Sequence, residues 1–237
     1  MIETLDSIRD IKIYQPKKGY RFSIDSVLLG HFITNKAYKK AIEFGTGCGI
    51  ISLILAKVLK QTSITAVEVQ DSMVEIAQKN VSLNHCEDRI NVLHEDINHL
   101  PFFFQPGTFD LVFSNPPFRK LNTGHINPIH EKSIARHEVL INLESLIKTA
   151  AFVLDNRGVF ALVYQPVRLA ELIRLLQNYR LEPKRMRLVH NCITEPATIV
   201  LLEAIKGAGT WLDVEPPLIL RNNNGEYTNE VTAFLLE

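Results

Sequence analysis

The stretch Ala41-Ile42-Glu43-Phe44-Gly45-Thr46-Gly47-Cys48-Gly49-Ile50-Ile51-Ser52-Leu53 decides how this chain must be read. A short apolar run over 41–44 meets three glycines at alternate positions, and an apolar, helix-like run follows over 50–59. Strand, glycine turn and helix in that order open a βαβ unit, where glycines permit the tight turn and let a ligand approach the backbone closely. The spacing is GxGxG, one residue short of the dinucleotide form GxGxxG. The dinucleotide form seats a pyrophosphate on the helix N-terminus, and Glu43 is an odd neighbour for a pyrophosphate. It suits a cationic amino-acid tail.

Moving outward, residues 64–69 alternate β-branched side chains and read as a second strand. Glu68 ends it, 19 residues after Gly49, where an acid accepts from ribose hydroxyls. Asp71 is placed to cap a helix over 71–83 with Met73, Ile76, Ala77 and Val81 on one stripe. A third strand over 90–93 is followed by Asp96, which is placed to accept from an exocyclic adenine amine. Glycines alone would suit an ordinary turn, and the acids alone would suit caps. The joint spacing of Gly45, Gly47 and Gly49 with Glu43, Glu68 and Asp96 points instead to one nucleoside-bearing ligand at the carboxyl ends of successive strands.

Further strands are expected at 109–113 and 159–164, with helices over 142–154 and 168–178. Two last strands, 187–189 and 198–204, have only a loop between them. Strand alternating with helix predicts a parallel sheet covered on both faces, and the final pair predicts an antiparallel hairpin that makes the sheet mixed. Residues 1–39 carry a helix starting near Asp25, with Val27, Leu28 and Phe32 as its apolar positions. No linker separates them, so the expectation is a single domain over 1–237 with 1–39 as an N-terminal cap.

Ser114-Asn115-Pro116-Pro117-Phe118 directly follows the fourth strand. Two prolines stiffen the backbone and remove two donors. What remains is the Asn115 amide, the Pro116 carbonyl and the Phe118 ring, a set that suits a planar substrate bearing an NH2 group. The Asn115 oxygen and the Pro116 carbonyl can each accept one N–H, and Phe118 can stack on the ring, worth about 1–3 kcal/mol for a base.

The 237 residues are 46% hydrophobic and 22% charged, and Lys+Arg and Asp+Glu are both 26, so the formal net charge is zero. That composition excludes a disordered, collagen-like or disulfide-framework chain. It also argues against holding nucleic acid by bulk charge alone. Local basic groups remain as candidate RNA contacts: Lys17, Lys18 and Arg21; Arg119 and Lys120; Arg136; and Lys184, Arg185 and Arg187. Their alternative is an ordinary solvated surface. The long polar stretch 119–142 suits a segment that orders on substrate. Within it, His137 fits a structural or phosphate-contacting role better than that of a general base. Cys48, Cys86 and Cys192 form no CxxC pair, and the histidines show no metal spacing, so reduced thiols and no metal site are expected. The start, Met-Ile-Glu-Thr-Leu-Asp, lacks the order of a signal peptide. The longest apolar stretch, 50–56, falls short of the ~20 residues of a membrane span. A cytoplasmic protein is expected.

Val112 to Phe118 resembles the amino-methyltransferase motif, and Glu43 to Gly49 resembles the S-adenosylmethionine loop of class I methyltransferases. Three further stretches, Tyr20 to Leu29, Ala135-Arg136-His137-Glu138 and Asn224-Gly225-Glu226-Tyr227-Thr228, make the chain similar to the bacterial tRNA1(Val) adenine-37 N6-methyltransferase family over nearly its whole length. Many relatives have Asp where this chain has Glu43. The resemblance implies a Rossmann-like α/β fold with six parallel strands and one antiparallel strand. It implies S-adenosylmethionine as methyl donor, held at Gly45, Gly47, Glu68 and Asp96, and a tRNA substrate whose adenine amine meets Asn115 and Pro116. It also implies that the segment from Tyr20 to Leu29 closes over the donor. An amino-methyltransferase of rRNA guanine or protein glutamine carries the same Asn-Pro-Pro-aromatic motif. A non-catalytic Rossmann-like nucleotide-binding module is the reading from another class, and the GxGxG spacing with the intact motif speaks against it.

Overall fold

The computed structural model describes residues 3–17, 21–116 and 142–236. The glycine-punctuated runs become strands β3 (Lys40–Phe44), β4 (Ser63–Glu68), β5 (Ile90–His94), β6 (Phe109–Ser114) and β7 (Leu154–Tyr164). They pair in parallel, β3 with β4 and β6, β4 with β5, and β6 with β7. The expected final pair is β8 (Leu181–His190) and β9 (Ala197–Lys206). β9 runs antiparallel to both β7 and β8, so the order across the sheet is β5, β4, β3, β6, β7, β9, β8. The strand order reverses between β3 and β6, which makes that gap the topological switch point where open α/β sheets take ligands.

Both faces are covered because alternate side chains on each strand enter different cores. Along β7, Val159, Ala161 and Val163 face one core and Phe160, Leu162 and Tyr164 the other. The first core is closed by helices α1 (Ile24–Ile33), α2 (Ile50–Val58) and α3 (Asp71–Leu83). The second is closed by the short α4 (Leu100–Phe103) and by α5 (Leu143–Val153) and α6 (Leu169–Asn178). Asn142 caps α5 by accepting from the Ser145 amide at 2.7 Å. Asp71, expected as a cap, is instead the first residue of α3, with Gln70 at the cap position.

Four features depart from expectation. The cap region opens with a hairpin, β1 (Glu3–Ile8) and β2 (Ile11–Pro16), ahead of α1. β8 is ten residues long, not three, and its register shifts between Pro183 and Arg185, where proline has no N–H for the ladder. Two short strands, β10 (Asp213–Val214) and β11 (Leu218–Ile219), add to β8 and enlarge the sheet to nine strands. A last helix, α7 (Asn229–Leu236), packs on α1: the Phe234 ring stacks on His31 at 4.8 Å between centroids, and His31 Nε2 lies 3.0 Å from the Phe234 carbonyl. No helix among the described residues is long and apolar enough to cross a membrane.

The hairpin is fastened by side chains. One edge of β2 pairs with β1. Its other edge meets Asn80 on α3 and Asn84, the C-cap residue one turn later. Asn80 Oδ1 accepts from the Tyr14 amide at 2.7 Å and its Nδ2 donates to the Tyr14 carbonyl at 2.9 Å. Asn84 does the same for Lys12, at 3.0 and 2.7 Å. The two amides stand in for a third strand and satisfy the backbone N–H and C=O of Lys12 and Tyr14 on that edge.

α1 lies close against α2 because Gly30 has no side chain: a Cβ there would sit 2.9 Å from Ile54 Cγ2. Gly30→Leu is therefore expected to lower the unfolding free energy by about 1–3 kcal/mol, the usual cost of overpacking. A urea titration against the parent protein measures it, and an unchanged midpoint would remove this contact as a constraint on the cap.

Candidate active site

The site is assembled at the carboxyl ends of β3, β4, β5 and β6. Gly45, Gly47 and Gly49 all have positive φ, at 73°, 57° and 87°, which a side chain would strain. The loop is pinned at its start by the Gly45 and Thr46 amides, which donate to the Val67 carbonyl at 3.0 and 2.9 Å. A Cβ on Gly45 would meet nothing within 4 Å. Gly45 therefore offers bare backbone to open space, while Gly47 and Gly49 are buried.

Glu68 is buried at the end of β4 and ties two loops together. Its Oε2 accepts from the Gly47 amide at 2.8 Å, and its Oε1 accepts from the Val69 and Gln70 amides at 2.9 and 3.0 Å. Each carboxylate oxygen can accept more than one hydrogen bond, so capacity remains for a ligand hydroxyl. Asp96 follows β5 and caps a short turn, with Oδ1 accepting from the Asn98 amide and side chain, both at 2.8 Å. Both bonds fall on Oδ1, which leaves Oδ2 its acceptor capacity.

Glu43 does not stand where a cationic ligand would meet it directly. Its side chain lies beneath the glycine loop at 1% exposure, and Oε2 accepts from the Thr46 hydroxyl at 2.6 Å and from the Ser52 hydroxyl. Burial pushes its carboxyl up to about 8, against the opposing pull of those two hydroxyls. An acid that is largely neutral at pH 7 is a brace for the loop rather than a counter-ion, which corrects the expectation drawn from its charge. Burial likewise pushes the Cys48 thiol up to about 12, so it is an unreactive thiol.

Asn115 and Pro116 follow β6 across the switch point from the glycine loop. The Ser114 hydroxyl donates to the Phe44 carbonyl at 2.8 Å, joining the two strand ends. The Asn115 amide nitrogen donates to Ser26 Oγ, in the first turn of α1, at 2.9 Å. The motif thus touches the cap segment at α1.

The structure brings Gly45, Gly47, Gly49, Glu68, Asp96, Asn115 and Pro116 to one edge of the sheet. Arg21 is placed otherwise than expected. Its guanidinium donates to Thr4 Oγ1 at 2.7 Å, the Pro16 carbonyl at 3.3 Å and Asp6 Oδ2 at 3.0 Å, so it closes the hairpin while staying exposed. Arg185 and Arg187 are also committed. Arg185 forms a two-pronged pair with the buried Glu203 and a further bond to Glu215, and Arg187 pairs with Glu230 at 2.7 Å. Lys17 is exposed at the end of β2. Lys18, Phe118, Arg119, Lys120, Arg136 and His137 lie outside the described residues. Ser26 and Asn80 were not singled out from sequence. The signal for Asn80 was available: it falls on the apolar stripe of α3, three residues after Ala77, and is fully buried.

The model of the methyltransferase small domain matches residues 21–181. A tRNA1(Val) (adenine(37)-N6)-methyltransferase of Porphyromonas gingivalis is 32% identical over 234 residues, covering 94% of this chain and 90% of that protein. One of the same name from Tolumonas auensis is 29% identical over 96% of this chain and 93% of its own length. The chain belongs to this family. Its fold is shared with a predicted O-methyltransferase from Agrobacterium tumefaciens, at TM-score 0.71 and 23% identity over 89% of this chain and 94% of that one. It is also shared with M. jannaschii TYW2 in complex with AdoMet, at TM-score 0.58 and 14% identity over 86% and 85%.

The burial of Glu43 has a pH signature. Its carboxyl ionises near 4.5 when the chain is unfolded and near 8 when folded, so the folded state holds the extra proton between those values. Its contribution is fully present below about pH 4.5 and declines as pH rises through 8. Glu43→Gln keeps an acceptor for Thr46 and Ser52 without the titration. The stability difference, parent minus variant, should fall from pH 5 to pH 8 in denaturant titrations. A flat difference would mean that Glu43 is ionised beneath the loop.

Proposed function

We propose that the chain transfers a methyl group from S-adenosylmethionine to the exocyclic N6 of an adenine in tRNA, adenine 37 in the anticodon loop of a valine tRNA. The observation that carries the reading is the placement of Asn115 and Pro116 at the end of β6, across the switch point from the glycine loop on β3. Two relatives bearing this name cover more than nine tenths of the chain, which favours adenine in tRNA over guanine or glutamine as the methyl acceptor.

The residues present fit the donor. Gly45 leaves the backbone bare at the loop, Glu68 stands at the end of β4, where an acid suits ribose hydroxyls, and Asp96 follows β5, where an acid suits the adenine amine. When bound, S-adenosylmethionine supplies a methyl group on a positively charged sulfur.

The difficulty lies in the acceptor, because the lone pair of an aromatic amine is spread into the ring. Asn115 Oδ1 and the Pro116 carbonyl each accept one amine hydrogen. Accepting both bends the nitrogen toward a tetrahedral shape and aims its lone pair outward. The amine loses one proton in the overall exchange, and water takes it. Catalysis by this chain is then mainly orientation, an effect that reaches about 7–11 kcal/mol in well-aligned systems. The target base must leave any stack to reach this edge, so an unpaired loop adenine should react faster than the same adenine in a duplex.

Asn115→Ala removes one acceptor while leaving the donor cradle intact. The expected result is a fall of about 10²–10³ in kcat with little change in KM, since the contact matters mainly in the transition state. Single-turnover methylation of a tRNA transcript with labelled donor measures it, and a variant working at the parental rate would end the proposed mechanism. Glu68→Ala should instead weaken donor binding by about 1.5–3 kcal/mol in calorimetry, as for a hydrogen bond to a charged group. Unchanged affinity would move the donor away from β4.

A further inference from the structure

We infer that Ser26 is a positioning residue that holds the Asn115 side chain in the rotamer from which it meets the substrate amine. The inference rests on Asn115 acting as an acceptor for that amine. An asparagine amide has an accepting oxygen and a donating NH2 group of nearly the same shape. With the oxygen toward the substrate, the site attracts an amine hydrogen. Turned by half a rotation, it would set N–H against N–H and repel it. A reactive Asn115 therefore needs its side chain held in one rotamer, which a hydroxyl able to donate or accept can do.

Ser26 does this. The Asn115 Nδ2 donates to its Oγ at 2.9 Å, across 89 residues of chain. Ser26 is 2% exposed, so water does not compete for that oxygen. The hydroxyl sits in the first turn of α1, which Gly30 lets close onto α2, so the acceptor is fixed to a rigid element. The backbone of the motif is held separately, by the Ser114 hydroxyl on the Phe44 carbonyl. One serine thus sets where the peptide lies and the other sets how the side chain is turned. Losing the second should leave substrate entry and donor binding alone and lower the share of molecules whose amide points the productive way.

The experiment is single-turnover methylation of a tRNA transcript at saturating donor, run on Ser26→Ala, Ser26→Thr, Asn115→Ala and the Ser26→Ala/Asn115→Ala double variant. Donor affinity is measured by calorimetry in parallel. Ser26→Ala should slow the step about tenfold, the worth of one ordinary hydrogen bond, with RNA half-saturation and donor affinity unchanged. Ser26→Thr keeps the hydroxyl and should keep the rate. In the Asn115→Ala background, Ser26→Ala should cost nothing further, because its effect passes through that amide. Should Ser26→Ala fail to fold, Ser26→Cys, with a weak acceptor of similar volume, carries the same expectation.

Parental activity in Ser26→Ala beside a slow Asn115→Ala overturns the inference alone. So does a folded Ser26→Thr as slow as Ser26→Ala, a multiplied loss in the double variant, or a loss traced to donor affinity. Parental activity in Asn115→Ala overturns the reading of Asn115 and this inference with it.

Discussion

The Glu68 carboxylate accepts from three backbone amides in two loops, and the site is arranged around that arrest. A glycine-rich turn is the most costly kind of chain to order, because glycine has the most conformational freedom to lose. Charge-assisted bonds to backbone N–H are the strong kind, and here they join the turn after β3 to the turn after β4. The Gly47 amide would otherwise be a buried donor without a partner. The same group that is placed to meet a ligand thus builds the floor on which the ligand rests.

Two acids near this loop divide the work by depth. Glu68 stands at the strand end among backbone donors. Glu43 lies one layer below, bonded to Thr46 and Ser52. Full burial favours the neutral form of the lower one. Residue type alone assigns them the same charge, and only their surroundings separate an acid held by backbone amides from one buried under two hydroxyls.

The parts of the fold that could be read from sequence are those where burial leaves a clear pattern. β3, β4, β6 and β7 are apolar on both faces and are punctuated by glycine, proline or a polar cap, so their existence and order follow. Glu68 and Asp96 were legible because they stand at fixed places relative to strand ends. The hairpin of β1 and β2 was not. Its turn is Arg9-Asp10, without the Asn-Gly or Asp-Gly pair that marks a two-residue turn, and Arg9 takes φ 53° regardless. Its free edge is satisfied by asparagines far along the chain, a long-range solution that no local window contains. β8 was foreshortened for a related reason. Arg185 pairs with buried Glu203 on the neighbouring strand, so a charge occupies a place where an apolar side chain would have revealed the strand. Arg21 shows the same limit: a positive charge in sequence says nothing about which carboxylate the fold will bring to it.

Asn80 joins features that stand far apart in the chain. Its amide nitrogen donates to the Tyr14 carbonyl in the hairpin and also to the Cys48 carbonyl inside the glycine loop, at 2.9 Å each. Opening the hairpin and loosening the loop are therefore not independent fluctuations. A molecule that stabilises the ordered loop raises the free energy needed to detach the hairpin, and by thermodynamic reciprocity a firmly seated hairpin strengthens whatever the loop holds. The hairpin, residues 3–16, acts in that sense as a remote part of the cradle, exchanging free energy with its occupant through Asn80.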